Sequence, residues 1–475
     1  MLPSLLKNST GVFAFQIMSR GISFLVFIVL ARILGVEAIG NFAYILSLCA
    51  LLMLFIEFGT NQFIIKEVVA GDNAVPAATI AHIVMLKLVQ YTIGILLLAA
   101  IEYRTLVADF QFLNLTLCYV LFEGIAQIGI TVLNGQKRFI KANSFVFYYE
   151  TGRSLALLCI LFLTKSISFI PVVYITAAFL YAVSILIYLL KDHQVFNTFR
   201  RELRFSKRIL LSNYKKTYLF FISAIAYQLY FRVDMLLLKR LSTGVELGLY
   251  STAYKFFEVF LFIPAILSGI IFPSVIAFYQ KSQQAELKKY LEDIQLKAVM
   301  LISFAVLSII ILSELIIMLC FGNAFAGAVP IMQMLFLTSF LYAFNFIYPV
   351  LNNSTGNEKT GIIVFSIGFI LNFTLNYFFL PLYGAKAAAF ITFISELLIT
   401  ILYYDFLRRK SFDIINQKAA ILLIFCLLLG ICRIMLAEVL SVFLLNLLIC
   451  FVFVLVVLLF YRKELNPKLI IHVKQ

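Results

Sequence analysis

Two stretches decide the fold: ARILGVEAIGNFAY at 31–44 and KRLSTGVELGLYSTAY at 239–254. Each places Gly-Val-Glu (Gly35 to Glu37, Gly244 to Glu246) after a basic residue and before an aromatic-rich run that opens a long apolar segment. The offset is 209 residues, and the motif falls at the same turn, between the first two apolar segments of each half. This reads as an internal duplication. Six segments separate the two copies. An even number brings the second copy back to the same side of a membrane, so the repeats are parallel. The Gly in each turn permits a tight hairpin, and the Glu is suited to cap a following helix N-terminus.

Around these turns the chain is 63% hydrophobic and only 13% charged, yet its net charge is +15 over 475 residues. A water-soluble domain of this size would need about 25% charged residues. Apolar windows of about 20 residues match membrane-spanning helices. They run at 10–34, 38–60, 79–102, 111–133, 139–164, 167–190, 210–238, 246–275, 294–321, 327–351, 360–381, 385–407, 416–436 and 439–461. The runs are continuously apolar, without the alternation of barrel strands. The predicted fold class is therefore an all-α integral membrane protein of fourteen helices. Residues 1–208 and 209–410 form two parallel six-helix lobes, and 411–475 adds two helices and a tail.

The positive excess sets topology. Twenty-six Lys and Arg residues flank the spans on one side and seven on the other (Arg32, Arg104, Lys165, Lys239, Arg240, Lys386 and Arg433). The positive-inside rule puts both termini in the cytoplasm. Basic residues scattered between spans do not form a nucleic-acid surface. The seven Cys residues all lie in apolar runs without metal-ligand spacing, so they read as core thiols. The N-terminus lacks a cleavage pattern and reads as a retained first span. The basic, Phe-dotted connection at 191–216 suits either an anionic leaflet or a solvated linker. KSQQAELKKYLED (281–293) reads as a short cytoplasmic helix.

Five basic residues lie within spans: Arg20, Lys87, Arg153, Arg232 and Lys255. Each costs about 2.5–3.5 kcal/mol at a helix centre, so each must face protein or water. Gln16 and Arg20 are four apart in the first span, and Gln228 and Arg232 repeat the spacing in the seventh. Lys87 and Gln90 share a face with Tyr91; Tyr119, Glu123 and Gln127 form a polar stripe. Lys255 and Glu258, three apart, are placed to pair. Asp234, Glu123, Glu258 and Glu396 are candidates for ion coupling or for structural pairing. His82 reads as a packed polar residue.

These stretches, in order, resemble a known family. The first turn is followed by IEFGTNQFIIKEVV (56–69). Later come VDMLLLKRLSTGVELGLYSTAYKF (233–256), IFPS (271–274), LCFGNAF (319–325), NNSTGNEKTG (352–361) and LNYFFLPLYGAKAAAF (375–390). Together they look like the Wzx-type polysaccharide-biosynthesis flippases, in the superfamily (MOP) that also holds MATE drug antiporters and lipid II flippases. Ala387 departs from a Gly common in that family. The resemblance covers about residues 8–410. It implies a MATE-like fold and a non-enzymatic role: moving a polyprenyl (undecaprenyl) pyrophosphate-linked oligosaccharide, such as an O-antigen, capsule or exopolysaccharide unit, across the bacterial inner membrane by alternating access. It implies membrane lipids and a polysaccharide polymerase as partners, a monomer, no nucleic acid, and no cofactor beyond H+ or Na+ coupling.

Under that resemblance Arg20, Arg232 and Lys87, with Lys255 and Arg153 as further candidates, are placed to attract the pyrophosphate, because an Arg fork matches phosphate oxygens. Gln16, Gln228, Gln90 and Gln127 are polar cavity candidates. A lipid II flippase remains an alternative. A MATE-type drug antiporter would present a cavity of the opposite sign to cationic drugs. A membrane enzyme of polysaccharide synthesis would need a polar catalytic loop, and no connection on the side of the seven basic residues exceeds about ten residues.

Overall fold

The computed structural model describes residues 2–61, 64, 83–96, 110–164, 169–191, 207–410, 412, 414–436 and 442–461. His82, residues 192–206 of the basic connection and the tail from 462 lie outside this set. No strand occurs among the described residues. The helices are α1 (Leu2–Leu34), α2 (Val36–Glu57), α3 (Ile83–Leu96), α4 (Phe110–Gly135), α5 (Phe139–Thr164), α6 (Ile170–Lys191) and α7 (Lys207–Leu241). They continue as α8 (Gly244–Phe260), α9 (Phe262–Gln280), α10 (Gln284–Phe321), α11 (Ala328–Asn345), α12 (Ile347–Ser354), α13 (Glu358–Arg409), α14 (Gln417–Leu436) and α15 (Val442–Phe460).

Ten helical segments among the described residues are long and apolar enough to cross a membrane. One of them, 359–409, holds two spans folded about Gly384, whose φ of 57° and ψ of −141° break the helix. With α3, α7 and α15 the spans read from hydropathy number fourteen. Two predicted spans are each interrupted at one residue. The eighth is α8 plus α9, broken at Leu261 with Pro264 three residues on. The tenth is α11 plus α12, broken at Phe346 with Pro349 three residues on. A proline removes an N–H and crowds the carbonyl four residues back, which accounts for both interruptions. The helix predicted at 281–293 is not separate: it is the first part of the 38-residue α10.

By packing, the chain divides into residues 1–239 and 240–475. Helix α7, which opens the second sequence repeat, belongs almost wholly to the first unit. Its Lys239 Nζ donates to Asn41 Oδ1 of α2 at 2.6 Å, and Met235 Sδ accepts from Ser47 Oγ at 3.2 Å. Farther back, Phe221 packs on Phe55 and Phe58. Elsewhere in this unit α4 lies on α6 and α1 on α5. Small residues let α4 and α6 approach closely, as is usual between membrane helices: a Cβ on Gly129 would fall 2.1 Å from Ile185 Cγ2, and Ala126, Ala178 and Ala182 are buried beside it.

In the second unit α11 is the buried axis, set against α8, α10, α13 and α14. Phe336 meets Phe257 and Phe260 edge-on. The turns quoted above have structural reasons. Thr243 caps α8 by accepting the Glu246 N–H at 3.2 Å, while the Glu246 carboxylate reaches the Ala385 N–H at 2.8 Å and so caps the second half of α13. Glu37, at the repeated position, is exposed. LCFGNAF forms the turn after α10, with Gly322 at φ 90° and Phe325 buried on Phe321. Arg433 stands in the last turn of α14. It is 2% exposed within α14 and donates Nε to Asn446 Oδ1 of α15 at 2.6 Å, in electrostatic reach of Glu314.

Candidate functional site

The polar side chains within the spans form several groups. The first unit contains a box of tyrosines around Arg153. Helix α4 presents Tyr119 and Glu123 one turn apart, α5 presents Tyr149 and Arg153 one turn apart, and α6 presents Tyr174 and Tyr181 two turns apart. Arg153 Nη1 donates to Tyr149 Oη at 3.0 Å and to Tyr119 Oη at 3.5 Å. Its guanidinium lies 4.9 Å from the ring centroids of both Tyr149 and Tyr174. Tyr149 stacks on Tyr181 with centroids 4.2 Å apart, Tyr174 meets Tyr119 edge-on, and the Tyr149 hydroxyl donates to Glu123 Oε2 at 3.5 Å. The cation thus has hydroxyl acceptors, two π-faces and a counter-charge within one unit. Of these partners only Tyr119 and Glu123 stood out in the sequence as a stripe. The four-residue spacing of Tyr149 and Arg153 was a usable signal for Tyr149 alone.

Lys87 is 4% exposed on α3. Its Nζ donates to the Gly124 carbonyl at 3.4 Å, and Glu57 at the end of α2 supplies the opposite charge. The glycine keeps this place narrow, since a Cβ on Gly124 would sit 2.9 Å from Ile56 Cγ2. Gln90, one turn along, is equally buried, and Gln127 is half-buried. Lys87 and Arg153 are therefore held inside the protein by carboxylates, carbonyls and rings, an arrangement that answers the cost of a charge in the bilayer.

Arg20 and Arg232 are placed differently. Gln16 donates to Asn143 Oδ1 at 3.1 Å and so ties α1 to α5, while Arg20, one turn on, is exposed. On α7, Gln228 and Arg232 are half-buried, and Asp234 is buried at 3% exposure.

In the second unit Lys255 Nζ and Glu258 Oε2 form the anticipated pair at 2.8 Å, each about a third exposed. Glu396, 2% exposed, sits in a network of amides and hydroxyls. Asn345 Nδ2, at the break between α11 and α12, donates to Glu396 Oε1 and to Thr400 Oγ1, both at 2.8 Å. Thr400 in turn donates to the Glu396 carbonyl. An amide pair lies on the first half of α13, where Asn376 Nδ2 donates to Asn372 Oδ1 at 2.8 Å. Among the described residues no three His, Cys, Asp or Glu side chains come together as a metal site.

Residues 5–277 match the family model described as polysaccharide biosynthesis protein. The chain belongs to that family. One relative, from Haloferax volcanii, is described as "Probable low-salt glycan biosynthesis flippase Agl15". It is 22% identical over 408 residues, covering 85% of this chain and 83% of the relative. Among solved structures, the lipid II flippase MurJ in an inward closed conformation superposes with a TM-score of 0.69 at 16% identity, over 97% of this chain and all of that one. An inward-facing multidrug resistance MATE family transporter of the MOP superfamily superposes with a TM-score of 0.67 at 16% identity, over 83% of this chain and 94% of that one. This chain thus has the fold shared by these transporters, as the resemblance implied.

Proposed function

We propose that this chain is a flippase for a polyprenyl-pyrophosphate-linked oligosaccharide, moving it from the cytoplasmic to the periplasmic leaflet of a bacterial inner membrane by alternating access of two lobes. Both termini lie in the cytoplasm in this reading, as the Lys and Arg asymmetry requires. The reading rests on one observation above all. Within their spans Arg20 is exposed and Arg232 is partly exposed. Two guanidiniums at membrane depth that still meet the surroundings suit a diphosphate, which accepts a bidentate fork from each. The family and the glycan flippase among its relatives point to the same class of cargo. A coupling ion, H+ or Na+, would find a carboxylate in Glu396 or Glu123, each buried or half-buried within a span.

Purified protein in liposomes, loaded with a lipid-linked oligosaccharide in one leaflet, tests this. Arg20→Gln and Arg232→Gln should each slow translocation at normal protein level. Full translocation in both variants would remove the basis for the assignment.

A further inference from the structure

A diphosphate is common to every lipid-linked glycan, so the guanidiniums alone give no hold on the sugars. Helix α7 carries a second stripe beside its polar one. Tyr227 and Phe231 are one turn apart with ring centroids at 4.7 Å, and Phe231 also meets Tyr230 edge-on at 5.1 Å. Gln228 and Arg232 follow each of these aromatics by one residue, so the aromatic and polar stripes run side by side. Tyr227 is 48% exposed. The other described tyrosines of α4, α5 and α6 that approach Arg153 are enclosed by one another and by the guanidinium.

Depth separates Tyr227 from an ordinary interfacial tyrosine. It precedes Leu241, the last residue of α7, by fourteen positions, or about 21 Å at 1.5 Å per residue. Arg20 precedes Leu34, the last residue of α1, by the same fourteen positions and the same distance of about 21 Å. In a hydrocarbon core about 30 Å thick, Tyr227 lies well inside both boundaries, away from the belts where tyrosines usually anchor. This half-exposed phenol stands one residue from an amide and about one turn and a half from a guanidinium.

We infer that the Tyr227–Phe231 stripe is a carbohydrate platform, on which the apolar face of a pyranose ring stacks while Gln228 takes a sugar hydroxyl and Arg232 holds the diphosphate. The ligand class is a pyranose directly attached to a polyprenyl diphosphate. The inference rests on the flippase reading above and adds the part that recognises sugar. An aromatic face is a large, rigid contact that needs no particular hydroxyl pattern, so the platform accepts a hexose without dictating which one.

Full-length protein in nanodiscs is titrated with two probes: farnesyl diphosphate, and the same lipid diphosphate carrying one N-acetylglucosamine. The wild type should bind the glycosylated probe about 5–10-fold more tightly. Tyr227→Leu should abolish that difference while leaving farnesyl diphosphate binding unchanged, and Tyr227→Phe should retain it. Arg20→Gln and Arg232→Gln should weaken both probes together. A monodisperse elution profile and an unchanged melting temperature show that each variant is folded. Equal binding of the two probes by the wild type, or equal weakening of both by Tyr227→Leu, overturns the platform. Failure of the arginine variants to affect either probe instead overturns the diphosphate assignment, leaving the aromatic result to be read independently.

Discussion

The contact between Glu246 and the break at Gly384 can be dissected quantitatively. Gly384 holds φ 57° and ψ −141°, a region open to glycine alone; a side chain there costs about 1–3 kcal/mol in backbone strain. An added Cβ would also lie 2.6 Å from Glu246 Oε2, so the carboxylate would have to leave its 2.8 Å bond from the Ala385 N–H. A hydrogen bond to a charged group contributes about 1.5–3 kcal/mol. Gly384→Ala should therefore destabilise by about 2.5–6 kcal/mol, and Glu246→Ala by about 1.5–3 kcal/mol, the hydrogen bond alone. In the double variant the bond is lost only once. Glu246→Ala should then cost almost nothing on the Gly384→Ala background, a coupling of about 1.5–3 kcal/mol. Unfolding by SDS in mixed micelles can be followed through the thiol of Cys426, which is fully buried in the same unit. The chain has no Trp to serve as an intrinsic reporter. Strictly additive losses would refute the reasoning, because they would mean that the carboxylate does not sit against the glycine.

Three further outcomes are expected. Arg153→Met should destabilise the first unit by about 3–5 kcal/mol by stranding Glu123, and Arg153→Met with Glu123→Gln should recover much of that; melting of the two variants in detergent compares them directly. Gly129→Ala should cost about 1–3 kcal/mol through overpacking against Ile185, and Ile185→Ala in the same chain should relieve it, as read by the melting temperature. Arg433→Leu should loosen α15 from α14, since Asn446 loses a 2.6 Å partner and Glu314 its facing cation; amide exchange across 442–460 should rise, and Asn446→Leu in the same chain should restrain it.

Much of the fold was legible because hydropathy and the Gly-Val-Glu turn both report local constraints. A tight turn needs its glycine and a span needs its length, so the fourteen spans could be read from short windows. Packing was harder to read. Nothing in the sequence of α7 shows that Lys239 and Met235 bond to Asn41 and Ser47, because the partners lie in another span. The interruptions at Leu261 and Phe346 fell inside continuous apolar windows, so hydropathy passed over them, and Pro264 and Pro349 stand three residues after each. The site divided in the same way. Spacing within one helix gave the Lys255–Glu258 pair and the Tyr119–Glu123 stripe. The box around Arg153 needs α4, α5 and α6 at once, and no single-helix pattern reports three helices. The use of Glu246 was also hidden, since its carboxylate serves a helix 139 residues away.

The attachment of α7 to the first unit has a consequence for biosynthesis. Asn41 and Ser47 on α2 bond to residues made 198 and 188 positions later. At about 5–20 residues per second, those partners arrive roughly 10–40 s after α2 has left the ribosome. For that interval the Asn41 amide oxygen lacks the Lys239 ammonium that meets it in the finished fold, whereas Ser47 already has the Ala43 carbonyl of its own helix, and the first unit cannot close on its own six helices. A gene split at residue 206 would leave the upstream fragment without the helix that completes it. A split placed after residue 241 would not.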